Sequence, residues 1–242
     1  KGCTELISFG CSTNRLEKID LSSNVKLEQL YIDGNKLSSV DISKNILLES
    51  LYINENLLKE IDLSANRSLY TLYAQRNQLE KLDVSYNSKL EIIDFGMNRL
   101  TYVDLTKNAL LRSVCFLTTG TTQQYNETAY RIELDDKNSF DLSTLPTGFE
   151  VSKIVPGSWS DATQNGNVLT IGETALKRGY VTYNYRCSDK YTLQFAVSFN
   201  PKTLTVDLSK ENKTVRYTGK ACKPKVNVNF GSAKLIENVD YT

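Results

Sequence analysis

The sequence predicts a mainly β protein: a solenoid of short strand-like arcs, a small antiparallel β-sandwich, and the start of a further β module. A leucine recurs every 21 residues from Leu6 to Leu111, which indicates stacked structural repeats. Between residues 130 and 200 apolar and polar side chains alternate, as they do in half-buried strands. Because Pro201 ends this alternation, we divide the chain into residues 1–119, 120–200 and 201–242.

Each repeat carries six apolar positions that we expect to point inward. In the second unit these are Leu27, Leu30, Ile32, Leu37, Val40 and Ile42. The first arc has apolar residues two apart at 30 and 32, and the second arc has them at 40 and 42, so each unit is predicted to carry two strand-like arcs joined by bends. One unit of 21 residues buries too little apolar surface to fold alone, so stability should come from stacking between neighbours.

An asparagine ends each arc of every repeat. Asparagine tolerates left-handed turns, and its amide can bond the backbone of the bend and of the next coil. We therefore predict a structural ladder on each arc rather than a ligand site. The asparagines are Asn14, Asn35, Asn56, Asn77 and Asn98 after the first arc, and Asn24, Asn45, Asn66, Asn87 and Asn108 after the second.

The segment LEQLYIDGNKL fits the pattern LxxLxIxxNxL and resembles the leucine-rich repeat. The second half of the unit, as in VDISKN, resembles a short 21-residue variety common in bacterial surface proteins, and five complete copies agree. The resemblance implies a right-handed solenoid whose first arc lies on the concave, ligand-facing side. It also implies an extracellular protein of the bacterial surface whose signal peptide and anchor lie outside this chain.

The composition excludes several functions. Lys and Arg number 29 against 28 Asp and Glu, and no basic patch is visible, which argues against nucleic acid as a partner. No run of about eighteen apolar residues exists, so no membrane insertion is expected within this chain. Histidine is absent, which removes the commonest general base and metal ligand. We expect no enzyme, no cofactor and no metal.

Five cysteines are an odd number without paired spacing. Small buried or free thiols are the favoured interpretation, and a disulfide framework or metal site is the alternative. Cys11 occupies an inward position of the first unit, whereas Cys187 and Cys222 lie in the later region.

Both ends of the solenoid should expose apolar surface. The chain begins within a repeat, so the first coil, with Leu6, Phe9, Cys11 and Leu16, is open. We expect it either to self-associate or to be covered by residues that precede Lys1. The repeat pattern is lost at Thr118 and Thr119, and the residues that follow should dock on the last coil as a cap.

Residues 120–200 are expected to form the β-sandwich, with Trp159 and Phe149 as large core side chains. Their pattern is similar to the immunoglobulin-like modules that follow leucine-rich repeats in bacterial surface proteins. Residues 201–242 resemble the start of another bacterial surface module through Tyr217 to Lys220, Pro224, Val226 and Asp240 to Thr242. That resemblance implies that the third module is only partly present.

The outward positions of the first arc form the candidate binding site. Tyr31, Tyr52 and Tyr73 share one column, and Asp33, Asn54 and Gln75 share the column beside it. Three tyrosines at a pitch of about 4.8 Å make a rigid amphipathic strip suited to a protein or glycan. The alternative is that tyrosine merely suits an exposed strand.

A column of aspartates lies on the second arc, each followed two residues later by a hydroxyl side chain. Like charges this close repel, so we expect the carboxylates to be solvated or bonded to backbone amides. A calcium ladder is the alternative, but the glycine- and aspartate-rich loops of calcium sites are missing. The column is Asp20, Asp41, Asp62, Asp83 and Asp104.

The sequence bears on three functional classes. The tyrosine strip favours a non-catalytic surface protein that binds or adheres to a host or matrix protein or glycan. A passive spacer that holds another domain away from the cell surface is the alternative, since tandem β modules suit both. Nothing in the sequence supports an enzyme.

Overall fold

The computed structural model describes residues 3–115 and 129–200, together with the backbone of three strands between residues 204 and 235. Residues 3–115 form the predicted solenoid of 21-residue repeats. Each coil contributes one short strand, and the six strands pair in parallel and in chain order. They are β1 (Ser8–Gly10), β2 (Gln29–Tyr31), β3 (Ser50–Tyr52), β4 (Thr71–Tyr73), β5 (Ile92–Asp94) and β6 (Ser113–Cys115).

The second arc differs from the prediction, because in the described coils it forms no paired strand. Leu37 and Ile42 are buried as expected, but Val40 is only half-buried. The equivalent Ile19 and Ile61 are also half-buried, whereas Val103 in the last coil is fully buried. From the second coil onward, five of the six predicted inward positions are therefore buried. The sixth is buried only toward the C-terminal end of the array.

The asparagine ladders are confirmed. In the first column, Asn56 donates to the carbonyl oxygens of Ile53 in its own coil and Ile32 in the preceding coil, at 3.1 and 3.0 Å. Its Oδ1 accepts the backbone N–H of Leu37 at 3.0 Å. In the second column, Asn66 donates to Ile42 and Asn45 of the preceding coil. Each coil is thus tied by side-chain amides to the coil before it.

The first described coil is less buried than the coils that follow it. Leu6, Phe9, Cys11 and Leu16 are half-buried, whereas the equivalent residues of the next coil are buried. A cavity of about 340 Å³ lies at this end, between the side chains of Leu6, Phe9, Ile19 and Leu21. Apolar surface is therefore accessible beside β1.

Residues 129–200 form two three-stranded sheets, with strand orders β8-β10-β9 and β11-β12-β7. The β11–β12 hairpin and the β9–β10 hairpin are antiparallel. However, β7 pairs with β12 in parallel, so the purely antiparallel sandwich of the prediction is wrong in this sheet. The strands are β7 (Tyr130–Arg131), β8 (Ser139–Asp141), β9 (Ala162–Asn165), β10 (Val168–Ile171), β11 (Tyr180–Arg186) and β12 (Thr192–Ser198).

The alternation predicted throughout residues 130–200 is interrupted by α1 (Glu173–Arg178), which follows β10, and by 3₁₀ turns at Leu142–Thr144 and Val151–Lys153. Gly179 ends α1 with φ +88°, and its N–H donates to the Ala175 carbonyl. Trp159 is 9 % exposed, and its ring centroid lies 4.4 Å from that of Tyr183, so its predicted core role is confirmed. Phe149 is half-buried against the same aromatic group.

This β region docks on the last coil, as the sequence predicted. The buried Tyr183 hydroxyl donates to the carbonyl of Thr101 at 2.5 Å, and the Leu105 N–H donates to the carbonyl of Cys187 at 2.9 Å. Leu105 and Leu111 are 2 % and 1 % exposed, so they join one continuous apolar core with the β sheets. The C-terminal end of the array is therefore covered.

The last described strands form a three-stranded antiparallel sheet, β13 (Leu204–Leu208), β14 (Val226–Phe230) and β15 (Ala233–Leu235). Most residues that carry the resemblance of residues 201–242 lie outside the described residues, as do Thr118, Thr119 and Cys222. Cys3, Cys11, Cys115 and Cys187 are free thiols, which agrees with the favoured interpretation. Within the described part of the chain, no helix has the length and apolar character needed to cross a membrane.

Candidate functional site

The parallel sheet places side chains 21 residues apart directly beside one another. Tyr31 pairs with Tyr52, and Tyr52 pairs with Tyr73, with no shift in register. Their neighbours along the strands, Leu30, Leu51 and Leu72, are fully buried, so the tyrosines must lie on the opposite face. We call the outward side of β1–β6 the strand face.

The three tyrosines form a stack. The ring centroids of Tyr31 and Tyr52 are 4.8 Å apart with an interplanar angle of 27°, and those of Tyr52 and Tyr73 are 4.7 Å apart at 11°. All three side chains are half-buried. Burial, together with the flanking Tyr73 and Tyr31, raises the pKa of the Tyr52 phenol. The strip is thus a preformed aromatic surface that displays neutral hydroxyl groups.

The second predicted column lies beside the strip. Asp33, Asn54 and Gln75 are half-buried, two residues beyond each tyrosine. Ser12 donates its hydroxyl to Asp33 at 2.6 Å, and Gly96 ends the column. The Gln75 Oε1 atom is buried and has no hydrogen-bond partner among the described residues. The structure therefore brings all six candidate residues together on one face, and their role as ligand contacts stays a prediction.

The residues at the two ends of the tyrosine strip were not predicted from the sequence. Gly10 pairs with Tyr31 at the first end, and Asp94 pairs with Tyr73 at the other, followed by Cys115. The same 21-residue spacing that identified the tyrosines also leads to these residues. Burial raises the pKa of the Asp94 carboxyl, against opposing hydrogen bonds from the Gly96 amide and the Cys115 thiol.

A charged column lies along the near edge of the strand face, at the residue that precedes each strand. Arg112 forms an ion pair with Glu91 at 2.7 Å and places its guanidinium over the ring of Tyr70, 5.8 Å from the centroid. Glu28 and Glu49 occupy the same column and have no ion pair among the described residues. The edge is therefore acidic over the first coils.

The aspartate column on the second arc is structural. In each coil the carboxylate accepts the backbone N–H of the residue two positions later, at 2.9 to 3.0 Å. For example, the Ser64 hydroxyl and N–H lower the pKa of the Asp62 carboxyl. These hydrogen bonds to backbone amides within each bend are the ones that the spacing predicts. No group of three potential metal ligands occurs among the described residues.

A cleft of about 670 Å³ lies in the β region beside Trp159. It is lined by Val151, Ile154 and Pro156 on one side and by Thr163 and Gln164 on the other, and no acidic, basic or thiol side chain is among its lining residues. Gln164 already accepts a hydrogen bond from the Trp159 indole at 2.8 Å. The hydroxyls of Ser152 and Thr163 in this lining therefore have no acidic, basic or thiol side chain beside them within the cleft.

No protein-family model matches the chain, and no curated protein matches it. Among solved structures, the functional domain of InlJ from Listeria monocytogenes is similar, with 20% identity and a TM-score of 0.46 over 81% of this chain and 63% of that one. A leucine-rich repeat protein of Leptospira interrogans matches with 18% identity and a TM-score of 0.42, over 55% and 43% of the two chains. InlP from Listeria monocytogenes matches with 19% identity and a TM-score of 0.38, over 74% and 55%. This chain spans less than two thirds of each of them.

Proposed function

We propose that this leucine-rich repeat protein is a non-catalytic binding protein of the bacterial cell surface that captures a host or matrix protein or glycan on its strand face. The contact is centred on Tyr31, Tyr52 and Tyr73, and Asp33, Asn54 and Gln75 supply the register. The alternative function is a passive spacer, in which the same face binds no partner.

The stacked tyrosines are the observation that supports this proposal. Rings held at 4.7 to 4.8 Å lose little conformational freedom when a ligand docks. Aromatic side chains near the centre of an interface tend to carry most of its binding energy. Five coils span about 24 Å, which corresponds to about seven residues of extended peptide.

The absence of catalysis and the surface location belong to the same proposal. Histidine is absent from the whole chain, and the lining of the β-region cleft contains no titratable side chain. The short 21-residue repeats resemble those of bacterial surface proteins, and free thiols rather than a metal cluster account for the described cysteines. These features favour recognition over chemistry.

The test begins with a glycan array and a panel of purified host extracellular proteins, screened with the chain. We expect at least one specific partner. Replacing Tyr31, Tyr52 and Tyr73 together by serine should weaken its binding at least roughly tenfold, which is about 1.4 kcal/mol. The melting temperature should stay near that of the wild type, because the buried leucines of β2–β4 are untouched.

Tyr86→Ser is the matched control, because Tyr86 is 49 % exposed on the second arc and lies outside the strip. It should leave affinity unchanged. If the triple variant binds the partner as well as the wild type, the site lies elsewhere. If neither panel yields a partner, the spacer reading replaces the binding one.

Self-association through the open first coil is a second interaction that we propose. Phe9 and Leu6 stay half-buried beside the cavity at this end, and β1 has one unpaired edge within the described sheet. Light scattering over a concentration series should show a rising mean mass, and Phe9→Lys should abolish the rise. A constant monomer mass for the wild-type chain would contradict this proposal.

A further inference from the structure

The columns on and directly beside the strand face carry a net negative charge. The positions equivalent to residues 28, 29, 31, 33 and 34 of the second coil contain six acidic and two basic side chains, a formal balance of −4 within a chain whose net charge is +1. Without the half-buried Asp94 the balance is still −3. The acidic side chains are Glu28, Asp33, Glu49, Glu55, Glu91 and Asp94, and the basic ones are Arg76 and Arg112.

Both basic side chains are already neutralised within this face. Arg76 lies 3.7 Å from Glu55, and Arg112 lies 2.7 Å from Glu91. Nearby Lys26 forms its ion pair with Glu5 of the preceding coil. Glu28, which is half-buried, and Glu49, which is exposed, therefore have no ion-pair partner among the described residues, and each lies at the residue before its strand. A cation from a partner could therefore pair with either carboxylate without displacing an existing ion pair.

The first end of the stack leaves one ring face without a neighbouring ring. The strand position beside Tyr31 is occupied by Gly10, which is exposed and has no side chain. Tyr52 covers the opposite face of the Tyr31 ring. Asp33 lies two residues beyond Tyr31, and Glu28 lies three residues before it. A planar cation placed over this ring would meet a π face, and the Asp33 carboxylate lies two residues along on the same side of the strand.

We infer that the partner of the strand face is an extended basic polypeptide segment, with one arginine side chain stacked on the open face of Tyr31. This inference rests on the proposed function and names the chemistry of its ligand. Arginine fits best because its guanidinium is planar, stacks on aromatic rings and pairs with carboxylates. Further basic side chains of the segment contact Glu28 and Glu49 along the edge, at a spacing that the coils set.

Other ligand classes fit this face less well. Nucleic acids and sulfated or sialylated glycans carry negative charge, so the acidic edge repels them. A neutral glycan would stack on the tyrosines but would gain no ion pair with Glu28 or Glu49. Charge complementarity also steers the encounter, because a basic segment is attracted to the acidic columns of this face.

The probe is a fluorescein-labelled heptapeptide that alternates arginine with threonine, compared with peptides of the same length that carry glutamine or glutamate in place of arginine. Fluorescence anisotropy with the whole chain should show that the arginine peptide binds at least roughly tenfold more tightly than the glutamine peptide. Raising the salt from about 50 to about 500 mM should remove most of that difference. The glutamate peptide should not bind.

Two variants locate the site. Gly10→Tyr adds a fourth ring that covers the open face, and a Cβ at residue 10 meets only the Tyr31 Cβ at an ordinary 3.9 Å. It should weaken binding of the arginine peptide at least roughly fivefold. The combination of Glu28→Gln, Asp33→Asn and Glu49→Gln should weaken it at least roughly tenfold.

The combination of Asp41→Asn, Asp62→Asn and Asp83→Asn is the matched control. It removes three charges from the second arc, and asparagine keeps the oxygen that accepts the backbone N–H. Binding of the arginine peptide should change less than roughly twofold. An equal loss in both triple variants would mean non-specific attraction and would overturn the inference.

Other outcomes separate this inference from the proposed function. If the glutamine peptide binds as tightly as the arginine peptide, and both are lost when the three tyrosines become serine, the face binds ligands but the basic chemistry is wrong. If the arginine peptide binds and Gly10→Tyr leaves it unchanged, arginine does not stack on Tyr31. If no heptapeptide binds, the inference is wrong, and the glycan and protein panels still decide the proposed function.

Discussion

Replacing Asn56 by alanine should lower the free energy of unfolding by about 3 to 5 kcal/mol. The side chain is 4 % exposed and uses both ends of its amide. Without it, the buried N–H of Leu37 loses its acceptor, and such an orphaned group costs about 1 to 3 kcal/mol. The carbonyls of Ile32 and Ile53 also lose a donor, although Asn35 and Asn77 still bond them. Urea denaturation followed by circular dichroism measures the change.

Two further asparagines make this prediction specific. Asn66→Ala should cost less, because Asn66 donates two hydrogen bonds but its Oδ1 accepts none from the described residues. Asn54→Ala should cost least, because Asn54 is only half-buried and lies on the strand face. If all three variants unfold at the same urea concentration, the ladder does not contribute as its geometry indicates.

Replacing Leu72 by alanine should destabilise the solenoid by about 2 to 5 kcal/mol, because it leaves a cavity in the middle of the array. Leu72 is fully buried and lies between Leu51 and Ile93 of the adjacent coils, so both neighbours lose contacts. Leu48→Ala should act in the same way. Thermal melts should show a drop of roughly 5 to 15 °C in the transition of residues 3–115.

Asp62→Ala is the control for this cavity. Asp62 is exposed and bonds only its own bend, through the N–H of Ser64. Its loss should lower the melting temperature much less than Leu72→Ala does. A melt of Leu72→Ala within about a degree of wild type would show that the inward position is not core.

The inward positions of the first arc followed from the sequence because a strict period leaves few alternatives. Once Leu27, Leu48 and Leu69 define the repeat, residues three and five positions later must share a face. The stack of Tyr31, Tyr52 and Tyr73 follows from the same arithmetic. The residues at the two ends of the stack, Gly10 and Asp94, follow from the same spacing. They are not aromatic, so the search for an aromatic column did not include them.

The second arc shows what periodicity cannot settle. Val40 and Ile42 alternate like a strand, yet pairing depends on whether neighbouring backbones come within hydrogen-bonding distance. In the structure the aspartates and asparagines of this arc satisfy the backbone instead. Each first-arc bend also requires a left-handed residue before its asparagine. Glycine at position 34 indicates this, but Glu55 and Arg76 adopt the same conformation without such a signal.

The β region was predicted less completely because its contacts are not repeated. The segment ETALKR before Gly179 carries the composition of a short helix with a glycine cap, but alternation on both sides concealed it. The parallel pairing of Tyr130 and Arg131 with β12 depends on the path of the intervening chain. The docking of Tyr183 on Thr101 joins residues 82 apart, and only the general need to cover the last coil indicated it.

The exact register between coils has an evolutionary consequence. Each of the strands β1–β6 pairs with its neighbour through residues that are 21 positions apart, so recombination between two repeats at equivalent codons adds or removes one whole coil. The joined strands then meet the same kind of partner, and the asparagine amides find the same carbonyls. The tyrosine column would lengthen or shorten in steps of 4.7 to 4.8 Å, and each added coil would use the same types of contact. A change in copy number therefore alters the length of the exposed face in whole coils, while point substitution alters the side chains on each coil.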